Sequence, residues 1–127
     1  MIVDDSATVR GQLGAMLESL GFSVAEADDG AAGVRLWRTI PTTVIFLDLE
    51  MPRFDGASTL RVLRATGGKM PVILLSGANT RTLAAAIKLG ATDYLAKPFT
   101  EASLRSVLER TGLLAAATGP AQVTESP

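Results

Sequence analysis

The stretch "LDLEMPRFDG", residues 47–56, follows "TVIF" at 43–46, so an unbroken apolar run ends on a carboxylate, Asp48. Glu50 lies two positions on, and a proline turn and an Asp-Gly pair come after it. A continuous apolar run of this length reads as a strand covered on both faces. The aspartate at its end reads in two ways, as a solvated strand terminus or as one member of a ligand site. What stands at the ends of the other strands decides between them.

Working outward, similar short apolar runs recur at Ile2-Val3, Phe22 to Ala27, Val72 to Leu75 and Asp93 to Ala96, with the central run at Thr43 to Leu47. Helical spacing fills the gaps between them. Val9, Leu13, Met16, Leu17 and Leu20 share one helix face, and Gly21 follows as a C-terminal stop. Val34 with Trp37, Leu60 with Val62 and Leu63, Leu83 with Ile87, and Leu104 with Val107 and Leu108 mark four more helices. Gly67-Gly68, Gly90 and Gly112 punctuate their ends. Five βα units in succession imply right-handed crossovers. The expected fold is therefore α/β: a doubly wound, flavodoxin-like sheet of five parallel strands in the order 2-1-3-4-5, with five helices. "FSVAEA" alternates in polarity, as an edge strand does. Residues 1–111 form the expected domain. Residues 112–127 lack periodicity and turn rich in Thr, Gly, Pro and Ser, as a tail or linker does.

Composition narrows the chemistry. The chain has 127 residues, the size of one domain, and 47% of them are apolar, enough for a core. With 12 basic and 13 acidic residues the net charge is −1, so no polybasic surface for nucleic acid or anionic lipid is expected. Cysteine and histidine are both absent, which excludes thiolate chemistry, imidazole metal ligands and His-dependent triads. No apolar run reaches the length of a membrane span and no signal peptide is visible, so a cytoplasmic protein without membrane contact is expected.

The carboxyl ends of the strands carry the chemistry. The first run ends at Asp4-Asp5, the third at Asp48, the fourth at Ser76-Gly77 and the fifth at Lys97-Pro98. Taken singly each is ordinary: Asp-Asp before a helix is a cap, Ser-Gly and Lys-Pro are turns, and Tyr94 is a core residue. In open α/β sheets, however, ligands bind beyond the carboxyl ends of the strands where the winding reverses. Three carboxylates, one hydroxyl and one ammonium thus converge on one cleft. One lysine cannot neutralise three carboxylates, so a proton or a cation must. With no nitrogen or sulfur ligands, a hard oxygen-seeking ion such as Mg²⁺ fits. A carboxylate can attack phosphorus to give an acyl phosphate, and Asp48, alone on the central strand, is the best-placed nucleophile. Lys97 and Ser76 would then bind the oxygens of the transferring group.

With "VDDS" at 3–6, "LDLEMPRFDG" at 47–56, "LLSG" at 74–77 and "DYLAKPF" at 93–99, the chain resembles the CheY-like receiver domains of two-component response regulators. The resemblance runs from residue 1 to about residue 111, and as a set these motifs are highly specific. It implies Asp48 as the phosphoryl acceptor. It implies Mg²⁺ held by Asp5, Asp48 and the backbone carbonyl of Glu50, with Asp4 acting through water. Lys97 becomes the phosphoryl-binding ammonium, Ser76 the hydroxyl that meets the phosphorylated aspartate, and Tyr94 the aromatic switch. The resemblance also implies a cis Lys97-Pro98 bond, and a phosphohistidine donor on a histidine kinase or phosphotransfer protein. Output to a downstream protein or domain is expected through the face of the fourth helix, fifth strand and fifth helix. Such a chain catalyses its own phosphotransfer and autodephosphorylation and is not a general metabolic enzyme. The chain departs from the family at its start, Met1 standing only three residues before Asp4, so a shortened interior strand is expected to cost stability. Glu50 and Ala78 occupy the variable positions that flank the site. Two other readings are a small phosphatase of the haloacid dehalogenase type, whose nucleophile would lie on the first strand, and a receiver-like binding module that is never phosphorylated.

Overall fold

The computed structural model describes residues 1–51, 55–77, 84–85 and 87–114. In chain order these hold β1 (Ile2–Val3), α1 (Ala7–Ser19), β2 (Glu26–Ala27), α2 (Gly30–Trp37), β3 (Ile45–Asp48), α3 (Gly56–Ala65), β4 (Val72–Ser76), β5 (Asp93–Ala96) and α4 (Glu101–Arg110). The sheet is parallel throughout, in the order β2-β1-β3-β4-β5. Between β4 and β5, where the sequence places the fourth of five helices, residues 84–85 and 87–88 are helical. Leu83 and Ala78 lie outside the described residues, as do the proline turn at 52–54 and positions 115–127 of the tail.

The strand ends differ from expectation in instructive ways. β2 is confined to Glu26–Ala27 although the polarity pattern begins at Phe22. β1 offers only two residues to pair with, and the ladder ends where its partner does. β3 starts two residues later than the apolar run and takes in Asp48, which pairs in register with Leu75. The nucleophile candidate is thus inside the ladder rather than beyond it.

The sheet separates two apolar layers. Ile2, Phe46, Ile73 and Leu75 face α1 and α4 and pack with Leu13, Leu17, Leu104 and Leu108. Val3, Leu47, Val72 and Leu74 face the other way, onto Val34, Leu60 and Leu63 of α2 and α3. This alternation is the period of two that a doubly covered strand must show. Helix starts are satisfied by side chains. Ser6, Asp29, Asp55 and Thr100 each accept from the backbone N–H three residues on, and Ser103 reciprocates for Thr100. Gly21 ends the first helix with φ at +96°, a conformation that a side chain would strain, and Gly67, Gly90 and Gly112 stop their segments likewise.

Candidate functional site

The cleft is built by register. Val3 pairs with Leu47, so Asp4 emerges beside Asp48, while Ser76 pairs with Ala96 and brings Lys97 to the same edge. Asp4, Asp5 and Asp48 each present an oxygen within 4.8 Å of the others. Asp4 and Asp48 are buried and Asp5 is exposed. The acidic pair is not the cap of α1, since Ser6 takes that role.

Asp4 Oδ1 accepts from the Ser6 N–H at 2.8 Å. Asp4 Oδ2 lies 3.0 Å from Lys97 Nζ, yet it is buried without a hydrogen-bond partner. The two meet as charges, off the direction a hydrogen bond needs. Asp48 Oδ1 accepts from the Glu50 N–H at 3.1 Å and from Lys97 Nζ at 3.3 Å. No hydrogen bond falls on Asp48 Oδ2 among the described residues. Burial pushes the Asp48 carboxyl up to about 6; the Glu50 N–H and Lys97 oppose this, and the charge of Asp4 adds to it. Burial would lower the Lys97 ammonium, but its contact with Asp4 and the charges of Asp48 and Asp4 outweigh burial and hold it above the ordinary lysine value.

Ser76 is buried at the end of β4, and its hydroxyl donates to the Gly77 carbonyl at 3.1 Å rather than to Asp48. The Lys97 N–H donates to the Ser76 carbonyl at 2.7 Å, so the two residues share one backbone link. The Lys97–Pro98 peptide is cis, as the resemblance implied. Glu50 is exposed, and its Oε1 reaches over Gly77, 3.1 Å from where a Cβ would sit there. Tyr94 is not core: its side chain is on the surface, 44% exposed.

One residue beside the site carries no chemical group that marks it in the sequence. Gly56 packs so closely on the end of β3 that a Cβ would collide with the Asp48 carbonyl and Leu49 Cα, and its N–H donates to the Leu49 carbonyl at 3.3 Å. The Asp55-Gly56 dipeptide gave the only signal, and it reads as a turn because local chemistry does not reveal a long-range contact. A cavity of about 330 Å³, lined by Met1, Phe22, Val24, Ile40 and Val44 among others, lies at the opposite end of the sheet and holds no acidic or basic side chain.

A parallel 2-1-3-4-5 sheet with an acidic cluster, a hydroxyl and a lysine on its carboxyl edge defines a doubly wound domain of the phosphoacceptor class. The chain belongs to the response regulator receiver domain family, whose model matches residues 1–109. It is 35% identical to the response regulator MprA of Mycobacterium sp. (strain KMS) over 128 aligned positions, covering 100% of this chain and 54% of that protein. The chain thus spans about half the length of the curated relatives it matches. Among solved structures it superposes on the receiver domain of NtrX from Brucella abortus with a TM-score of 0.81 at 29% identity, covering 91% of this chain and 98% of that one. The chemotaxis protein CheY4 of Vibrio cholerae gives 0.80 at 26% identity, over 87% of this chain and 94% of that one. Among the described residues, no helix is long and apolar enough to cross a membrane.

Proposed function

We propose that Asp48 accepts a phosphoryl group from a phosphohistidine on a histidine kinase or phosphotransfer protein, and that this is the signal the domain passes on. The observation that carries the reading is a buried aspartate flanked by two further carboxylates and touched by one lysine, Nζ at 3.3 Å. Asp48 Oδ2, which accepts no hydrogen bond among the described residues, attacks phosphorus; the P–N bond breaks, the imidazole leaves with its electron pair and takes up a proton, and an acyl phosphate remains. The Glu50 N–H and Lys97 hold the other oxygen and so fix the carboxylate plane for in-line attack.

The donor set fits Mg²⁺. All candidate ligands are oxygens, one ammonium serves three carboxylates, and Asp4 Oδ2 is a buried acceptor with no donor. Asp5, Asp48 and the Glu50 carbonyl would hold the ion, with Asp4 reaching it through water. Bound there, it would neutralise the carboxylates and stabilise charge on the transferring oxygens. Lys97 supplies the second positive charge from the far side of Asp48, and Ser76, once its hydroxyl leaves Gly77, supplies a donor to the acyl phosphate. The output face comprises the segment before β5, β5 itself with Tyr94, and α4, with a downstream protein or domain as its partner.

Incubation with Mg²⁺ and acetyl phosphate, followed by intact-mass measurement, tests this. One phosphoryl group per chain is expected, absent when the metal is chelated and absent in Asp48→Asn. Metal-dependent modification of Asp48→Asn at the native rate would overturn the assignment.

A further inference from the structure

Arg10, on the second turn of α1, reaches back past the start of its own helix. Its Nη1 donates to the Asp4 carbonyl at 2.7 Å, and its Nε donates to Glu26 Oε1 on β2 at 3.0 Å. Its side chain is 17% exposed and that of Glu26 46%. The sequence gives no reason to single out either residue. The carbonyl that Arg10 holds is one half of the Asp4–Asp5 peptide. On the near side of that peptide, Asp4 is pinned already, its N–H donating to the Ala27 carbonyl at 3.1 Å and its Oδ1 accepting from Ser6. On the far side stands Asp5, whose exposed carboxylate has no hydrogen-bond partner among the described residues. The direction in which Asp5 leaves the strand is set by the plane of the peptide that precedes it, and that plane is held by Arg10.

We infer that Arg10 is a positioning residue for the metal site: through the Asp4 carbonyl it aims the Asp5 carboxylate at the cleft, and Glu26 holds and neutralises the guanidinium that does so. The inference rests on the phosphoacceptor reading, in which Asp5 is a ligand. Charge alone makes the opposite prediction. A cation beside an acidic cluster repels a second cation, so its loss would tighten metal binding. The ion pair with Glu26 mutes that repulsion, while the hydrogen bond to the carbonyl remains. Orientation therefore outweighs charge, as it does when a partner that orients a metal ligand is lost.

The test is Mg²⁺ binding by titration calorimetry on the full chain, without any phosphoryl donor. Arg10→Met keeps the apolar stem and removes the donors; it is expected to weaken Mg²⁺ binding about ten-fold. Arg10→Lys keeps one donor and is expected to recover part of the loss. Glu26→Gln leaves α1 intact and frees the guanidinium, and it is expected to weaken binding in the same direction by less. Metal-free thermal melts accompany each titration, and a cooperative transition with at most a modest fall in midpoint is expected, because the half-exposed pair with Glu26 adds little stability and only one carbonyl bond is lost besides. Unchanged or tighter Mg²⁺ binding in Arg10→Met, or weakening matched by a collapsed melt in all three variants, would overturn the inference and leave the phosphoacceptor reading standing. Failure of the unsubstituted chain to bind Mg²⁺ would overturn both.

Discussion

At the scale of single residues, the site is an arrangement of charge that is unfavourable until something arrives. Asp48 titrates at about 6 in the folded chain against an ordinary value of 3.8. The folded state therefore holds more protons than the unfolded state between those values, and metal-free stability falls as pH rises through that window. The whole penalty, at most about 3 kcal/mol, is present at neutral pH. Asp48→Asn is expected to be more stable than the native chain at pH 7 by about 1–3 kcal/mol, with the gap closing towards pH 4. Lys97 does not lose its last partner in that variant, because Asp4 Oδ2 stays 3.0 Å away. Urea melts across the pH range, with and without Mg²⁺, measure it. A native chain that is the more stable of the two at pH 7 without metal would contradict the charge assignment.

At the scale of elements, α1 and α3 carry opposite lessons. α1 contains Gly11 in an exposed position where a Cβ would meet nothing within 4 Å. Gly11→Ala is expected to raise stability by about 0.5–1 kcal/mol through helix propensity, read as a raised thermal midpoint. The last turn of α3 carries Arg64, a cation that pairs with no carboxylate among the described residues. Its guanidinium donates to the carbonyls of Gly68 at 3.0 Å, Met70 at 2.8 Å and Gly90 at 2.9 Å. It thereby ties the exit of α3, the entry of β4 and the turn before β5 into one knot. Arg64→Met is expected to cost about 1–3 kcal/mol and to speed amide exchange near Gly90 first. Equal protection there in both proteins would deny Arg64 that role. What could be read beforehand follows the same divide. The helices and the buried strands β3 and β4 were legible because their periods are local. The span of β2 was not, because pairing depends on what β1 offers. Asp4, Asp5, Asp48, Ser76 and Lys97 were legible as a set because strand ends in a parallel sheet share an edge. Arg10, Arg64 and Gly56 were not, because each acts on a backbone group brought near only by the fold.

At the scale of the whole molecule, the proposed role requires the sheet to carry site chemistry to a face away from it. Ser76 and Tyr94 lie on adjacent strands, β4 and β5, with Lys97 linking the Ser76 carbonyl to the end of β5. Phosphorylation would draw the Ser76 hydroxyl from the Gly77 carbonyl towards the new oxygens, leaving space beside β5. Tyr94, now 44% exposed, is expected to turn into that space, which makes the pair a two-position device biased by charge. Structures or tyrosine-ring NMR spectra with and without beryllofluoride and Mg²⁺ report on both residues. An unmoved Ser76 together with an unchanged Tyr94 rotamer would rule the coupling out. Asp93 beside it is already engaged by Arg110 of α4, Nε to Oδ2 at 3.1 Å, so the face meets a partner with those charges paired internally.

The contact of Gly56 with the end of β3 has a consequence for how such chains are recognised. The glycine closes a neck: its N–H meets the Leu49 carbonyl, and it lies against the Asp48 carbonyl and the Leu49 Cα. A larger residue at 56 would have to pry the neck open and would displace the Asp48 carboxylate with it, although it lies eight positions away. An acidic strand end followed at that interval by glycine is therefore a single spelling rather than two. A reader who weighs only the carboxylates misses the half of the word that holds them in place.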